Sequence, residues 1–220
     1  MGIQKLKRRN FRHLTDNEFE NPLLPLVELC CSETSLDYVV EDTHRFIRAT
    51  SGSNIGFTGR DYGEMYFFYE RFCKHIELLY VLMSRYPDWQ LAKGSPLYRV
   101  TVQGRSKEVY DGYMFSGTTM RFDKLTQTEF WNLHQFMKSF FTFKTLLAWQ
   151  SALDDMMRCT FGDEAFSQYN EESFQLFEYL DKLGEAMFLA YLIRGKDYML
   201  GHCAERYGIK KKKLVDADSV

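Results

Sequence analysis

The sequence predicts a mainly α-helical fold: a single-domain bundle of several long, aromatic-rich helices, with a small β-hairpin inserted near residues 97–115. Three observations predict this class. Apolar residues in the middle of the chain recur at helical spacing, no proline follows Pro96, and one short stretch changes to a pattern typical of strands. With 220 residues, of which 45% are hydrophobic and 16% aromatic, the chain can bury one sizeable core.

The charge distribution divides the chain into three parts. Residues 1–14 form a basic N-terminal arm, residues 15–209 a helical domain, and residues 210–220 a lysine-rich tail. The basic ends belong to a chain whose formal net charge is -2. We expect no internal repeat. No apolar run approaches the ~20 residues needed to cross a bilayer, and the N-terminus is too polar for a signal peptide.

The first helical elements follow a proline-rich stretch. Pro22 and Pro25 predict a turn, because proline interrupts a helix. Ser35 and the residues just before it offer a fresh N-cap, and the apolar spacing that follows predicts a helix from Leu36 to about Thr50. A glycine-rich loop then leads to the next helix.

The stretch from Asp61 to Tyr86 carries the clearest helical pattern. Its apolar residues keep to one stripe for about six turns, at about 100° per residue. Other aromatic and aliphatic residues lie on the remaining faces, which indicates a helix covered by its neighbours. Asp61 and Glu64 are expected to cap its start, and Pro87 to end it. The stripe consists of Met65, Tyr69, Phe72, Ile76, Leu79, Met83 and Tyr86.

A change of period after Pro96 predicts the hairpin. Two short runs, beginning at Leu97 and at Glu108, are rich in β-branched and aromatic residues, and a turn signal at Gly104 separates them. Two strands alone are marginal in water, so the hairpin must lie on the helical body or pair with another segment.

The rest of the chain is predicted to be helical again. Thr126 and Glu129 have the spacing of a capping box and begin a run to about Cys159. Asn170 is expected to cap a second run, residues 171–194, with Phe174 and Phe177 among its inward residues. Gly195 has the position of a helix C-terminal glycine, and a short last helix follows at residues 197–207.

Three polar residues share a lane beside the apolar stripe of the central helix: Glu64, Arg71 and His75. A buried carboxylate, guanidinium and imidazole could form a binding or acid–base site. The alternative is a structural hydrogen-bond network at a helix boundary.

The sequence contains one weak metal-binding pattern. Glu41 and His44 form the single Glu-x-x-His match, whereas a di-metal helical bundle needs two such motifs and further glutamates. A metal-dependent helical-bundle enzyme, with Glu64 and His75 as further ligands, therefore remains a second alternative. We expect no metal and no cofactor, and we assign no catalytic residue.

The C-terminal segment resembles a helix-turn-helix box at about residues 200–217. Ala204, Gly208, Ile209 and Leu214 have the spacing of that motif, although Asp216 would lie in the recognition helix. The resemblance implies a nucleic-acid-binding regulator whose C-terminal lysines contact phosphates. The basic cluster at the N-terminus would enlarge this patch if the two ends meet in space. The candidate contacts are Lys5, Lys7, Arg8, Arg9, Arg12, Lys210, Lys211, Lys212 and Lys213.

The composition favours a non-enzymatic protein that works by binding another protein, in a regulatory or scaffold role. No catalytic motif stands out, while the aromatic surplus and the hairpin both suggest a partner surface. A homo-oligomer is the simplest partner, and nucleic acid remains possible. Five cysteines, an odd number with no CxxC pair, predict a reducing, intracellular location in the cytoplasm.

Overall fold

The computed structural model describes residues 7–30, 35–51, 59–111, 118–161, 166 and 172–207. Within these ranges the protein is mainly helical, as predicted, with a small antiparallel sheet between two groups of helices. The first group is α1 (Asp16–Glu20), α2 (Leu23–Glu28), α3 (Leu36–Thr50) and α4 (Gly59–Arg85), preceded by a 3₁₀ turn at Arg8–Asn10. The second group is α5 (Gln127–Trp131), α6 (Leu133–Phe143), α7 (Leu146–Phe161), α8 (Ser173–Ala190) and α9 (Lys196–Tyr207).

Helices α3 and α4 confirm the predicted pattern. The stripe of α4 lies in the core, where Phe72, Ile76 and Leu79 are almost completely buried. Two local expectations were wrong. Helix α4 begins at Gly59, so Asp61 lies inside it and does not cap it. Pro25 lies in the first turn of α2, where its missing N–H costs no intrahelical hydrogen bond.

The predicted run from Thr126 to about Cys159 is divided into three helices. The capping box at its start is confirmed, because Thr126 Oγ1 accepts the N–H of Glu129 and the Glu129 carboxylate accepts the N–H of Thr126. Asn132 leaves the helical conformation between α5 and α6. The cause is tertiary: Asn132 pairs with Gln90 as an isolated β-bridge, which competes with the helix at that point.

The hairpin is confirmed and extended to three strands. Strands β1 (Arg99–Gln103), β2 (Ser106–Asp111) and β3 (Thr118–Phe122) form an antiparallel sheet in the order β1-β2-β3. Gly104, with φ of 61°, occupies the left-handed position in the first turn. The third strand was not predicted, and its pairing with β2 supplies the partner that the hairpin needed.

The expectations for the two ends of α8 were wrong at Phe174 and Gly195. The Phe174 side chain is 80% exposed instead of facing the core. Gly195 does not end a helix, because a π turn at Tyr191–Gly195 continues directly into α9. A Cβ atom at Gly195 would lie 2.8 Å from the Tyr191 ring, so glycine is needed here for close packing. The proposed cap Asn170 lies outside the described residues.

The two groups of helices repeat one another, so the expectation of no internal repeat was wrong. Residues 11–21 (FRHLTDNEFEN) and 122–132 (FDKLTQTEFWN) share six identities. Both segments contain a buried phenylalanine, a threonine that caps a five-residue helix through a capping box, and a closing asparagine. The rings of Phe11 and Phe19 lie 5.0 Å apart, and those of Phe122 and Phe130 lie 5.4 Å apart.

A buried glutamate anchors each copy of this segment. Glu77 of α4 accepts hydrogen bonds from the backbone N–H groups of residues 12, 13 and 14, at 2.8, 2.9 and 3.1 Å. Glu185 of α8 accepts the N–H groups of residues 123, 124 and 125, at 2.6, 2.8 and 2.9 Å. We call these two arrangements the glutamate clamps.

The lysine three residues before each clamp glutamate is repeated as well. Lys74 pairs with Glu18, and Lys182 pairs with Glu129, which are the two capping-box glutamates. The repeat also extends to the next helices, because Ser35 and Thr145 each cap a helix that begins with leucine.

The two copies pack reciprocally. Helix α3 of the first copy packs on α8 of the second, and α7 of the second copy packs on α4 of the first. This exchange is the arrangement expected of two like units related by a two-fold axis. The chain is therefore built as an internal duplication, with the sheet inserted between the two copies.

Removing a clamp should destabilise the fold strongly. In Glu185→Ala, three backbone donors lose their acceptor, and we expect the free energy of unfolding in a urea titration to fall by about 3 kcal/mol or more. Glu178→Ala removes an exposed carboxylate from the same helix and should change stability by less than about 1 kcal/mol. Equal losses in the two variants would contradict the clamp.

A second prediction concerns the attachment of the sheet. The Lys196 and Asp111 side chains form an ion pair with no exposed surface, and Lys196 also donates to the carbonyl of Leu97. Lys196→Met should cost about 3–5 kcal/mol, because it leaves a buried carboxylate without its cation. Adding Asp111→Leu should recover much of that loss in the same denaturation assay; no recovery would show that the charge is not the cause.

Candidate functional sites

An exposed row of aromatic rings runs along one face of α4. The Tyr62 ring lies 5.1 Å from Phe161 at the end of α7, and Tyr66 lies 6.0 Å from Tyr69. Tyr62, Tyr66 and Phe161 are each 41–51% exposed. We call these three residues, together with Tyr69, the aromatic surface. Such contiguous exposed rings are unusual on the surface of a monomer and typical of contact sites.

The base of the aromatic surface is fixed by hydrogen bonding. The Tyr69 hydroxyl donates to Asp154 Oδ1 of α7 at 2.5 Å, and Asp154 also pairs with Arg12 at 3.2 Å. Burial and the neighbouring Asp154 carboxylate raise the pKa of Tyr69, so its hydroxyl stays protonated. The Tyr69 ring is therefore held in place before a partner binds, which reduces the conformational entropy lost on binding.

The polar lane on α4 is divided between two places. Glu64 makes a bidentate pair with Arg45 of α3, at 2.6 and 2.7 Å, and Arg71 binds Asp42 of α3 at 2.6 Å. These pairs join α3 to α4, which is the structural hydrogen-bond network considered as the alternative to a binding site. Burial of Asp42 raises its pKa, although the adjacent Arg71 opposes this effect. His75 takes no part in these two pairs.

His75 lies against a second feature, a cavity of about 400 Å³ beside α4. The imidazole is only 4% exposed, and its Nδ1 has no hydrogen-bond partner among the described residues. Burial lowers the pKa of His75 to about 3, and the positive charges of Arg71 and Lys74 act in the same direction. The side chain is therefore a neutral imidazole at neutral pH. We call this space the His75 cavity.

Glu41 and His44 line the same cavity, and His44 is paired with a carboxylate there. Both line a separate cavity of about 330 Å³, in which His44 Nε2 lies 2.7 Å from Asp181 Oδ1. Lys124 contacts the same carboxylate at 2.7 Å. Glu64 and His75 were the other metal ligands considered. Glu64 pairs with Arg45, and His75 lines the His75 cavity. Across the described residues, no group of three or more histidine, cysteine, aspartate or glutamate side chains is placed to hold a metal ion.

The basic ends are only partly described. Arg8 is bound to Asp16 and to the carbonyls of Phe11 and Leu14, and Arg12 contacts Asp154, so both guanidinium groups have partners within the protein. Residues 7–14 of the arm are packed on the bundle, with Phe11 and Leu14 buried. Lys5 and all of residues 208–220, including Lys210 to Lys213, lie outside the described residues, as does most of the helix-turn-helix-like segment.

Sequence reasoning missed the residues that organise these sites. Asp154 and Gln150 were not singled out. Gln150 donates to Glu77 at 2.7 Å and joins the first clamp to α7. The available signal was the repeated segment with Thr15 and Thr126 at its centre, which would have directed attention to both clamps.

No protein-family model matches the chain, and neither curated proteins nor solved structures yield a significant match. Among the described helices, none has the length and apolar character required to cross a membrane.

Burial of His75 should make the protein less stable in acid. The unfolded chain takes up a proton at this residue below its ordinary pKa of about 6.5, whereas the folded state resists protonation down to about pH 3. Stability should therefore fall as pH decreases from about 6.5 toward 3, with a contribution of about 2 kcal/mol between pH 7 and pH 5.

Urea titrations at the two pH values measure this contribution. His75→Leu should remove it, whereas His202→Gln, a change at an exposed histidine of α9, should preserve it. The same acid loss in wild type and His75→Leu would show that other groups cause it.

Proposed function

We propose that the protein works by binding another protein through the aromatic surface. The observation that carries this proposal is the contact of exposed rings across two helices, Tyr62 of α4 with Phe161 of α7. Tyr66 lies one turn further along α4 and is 51% exposed. Tyrosine rings bury a large apolar area on binding and lose little conformational entropy, while their hydroxyl groups can still hydrogen-bond at the edge of a contact. This combination is enriched at the centres of protein interfaces.

The surroundings of the aromatic surface favour a protein over a nucleic acid as the partner. Arg12 and Arg158 are paired with Asp154 and Asp155, and Tyr66 faces the carboxylate of Glu70. A phosphate backbone needs free cations beside the rings. A second copy of the chain is one protein that could fill the role, and light scattering on the purified protein distinguishes self-association from a different partner.

Site-specific photo-crosslinking tests the proposal. A photoreactive phenylalanine analogue placed at Tyr66, in cells that express the protein, should give one discrete adduct. The same analogue at Tyr38 of α3, an isolated ring that is 65% exposed, should not give that adduct. Combining the Tyr66 analogue with Tyr62→Ser and Phe161→Ser should abolish the adduct, because the neighbouring rings supply most of the contact area.

The interpretation depends on folded variants. Both substituted rings are about half exposed, so we expect the two serine changes together to cost less than about 2 kcal/mol and to leave the circular dichroism spectrum unchanged. Identical adduct patterns from positions 66 and 38, or an adduct that survives the two serine changes, would refute the aromatic surface as the binding site.

A further inference from the structure

The internal duplication allows the two halves to be compared position by position. We align α4 with α8 on the two clamp glutamates, Glu77 and Glu185. In this alignment His75 corresponds to Leu183, and Arg71 corresponds to Tyr179. Leu183 is completely buried in the core. The Tyr179 ring lies within 5.0–6.2 Å of aromatic rings on α6 and α7. In the second copy this region is therefore filled by apolar packing.

The covering helix differs in the same way. Helix α6 has 11 residues and places Phe136 and Phe140, both fully buried, over α8. Its counterpart α2 has only 6 residues, and the equivalent positions hold the smaller side chains of Pro25 and Leu29. Both of these residues line the His75 cavity. Smaller covering residues, together with polar residues on the helix below, leave a cavity in the first copy where the second copy has a solid core.

The charged residues around the cavity act on the buried imidazole of His75. Arg71 and Lys74 of α4 both disfavour a proton on His75, so the potential at the imidazole is positive. The other charged or titratable residues that line the cavity are Arg12 and His13 before α1, Glu28 at the end of α2, and Glu70 of α4. Arg71 uses Nη1 to bind Asp42, and a guanidinium has five N–H donors in total.

We propose that the His75 cavity binds a small organic carboxylate, with His75 and Arg71 at the carboxylate and Phe67, Leu29 and Leu78 around the apolar part. The volume of about 400 Å³ suits a small ligand, and the mixture of apolar walls with a few polar groups is typical of such sites. A carboxylate supplies the acceptor for an imidazole that lacks a hydrogen-bond partner at Nδ1.

The ligand meets a neutral imidazole. Burial is the largest cause that lowers the pKa of His75 to about 3, and the charges of Arg71 and Lys74 add to it. The neutral imidazole donates an ordinary hydrogen bond to the carboxylate, and Arg71 supplies the charge-assisted one. Glu28 and Glu70 add negative charge at the cavity wall and confine the preference to ligands with a single carboxylate.

Isothermal titration calorimetry of the full chain with benzoate tests the site. Benzoate is expected to bind saturably at neutral pH, with a dissociation constant below about 10 mM. Benzamide has the same shape without the charge and should bind about tenfold more weakly or worse.

Substitutions decide whether the binding occurs in this cavity. His75→Leu places the second copy's residue in the first copy, so the variant should fold and lose benzoate affinity by about tenfold or more. His44→Leu, in the other cavity, should bind benzoate as the wild type does. Should His75→Leu unfold, Arg71→Gln is the replacement test and carries the same expectation. Absence of saturable binding by the wild type, equal binding of benzamide, or undiminished binding by the His75 or Arg71 variant would each overturn the proposal.

Discussion

Each copy of the duplicated unit depends on one buried carboxylate. Glu77 and Glu185 each accept three consecutive backbone N–H groups at the point where the chain enters a threonine-capped helix. One carboxylate has about four acceptor sites, so a single side chain satisfies donors that would otherwise be buried without partners. Burial raises the pKa of Glu185 even though the three N–H groups act to lower it. These junctions set where α1 meets α4 and where α5 meets α8.

The two copies share a framework but have diverged around it. Second-copy residues such as Phe140 and Tyr179 stack into a continuous aromatic core with Trp149. The first copy has instead a cavity around His75 and exposed rings at Tyr62 and Tyr66. Both features lie on α4, on different faces of the helix. The features proposed to bind partners are therefore concentrated on α4 of the first copy, and Phe161 of the second copy completes the aromatic surface.

Sequence patterns predicted the elements whose signals are local. The stripe of α4, the capping box at Thr126 and the hairpin each depend on residues a few positions apart, and these predictions were confirmed. The clamps could not be predicted in this way, because Glu77 meets backbone groups 63–65 residues away. The break at Asn132 and the exposure of Phe174 also arise from tertiary packing. Of the candidate site, the sequence placed Arg71 and His75 on one helix face but gave no sign of the cavity above them.

The reciprocal packing of the copies has a consequence for how the chain folds during synthesis. Helix α3 buries its apolar face on α8, and the first clamp receives Gln150 from α7, so the first copy is incomplete until the second has left the ribosome. Contacts between residues this far apart in the chain slow folding and prolong the exposure of apolar helices. The nascent first copy is therefore expected to be a substrate for chaperones, and separate expression of either copy to give insoluble protein.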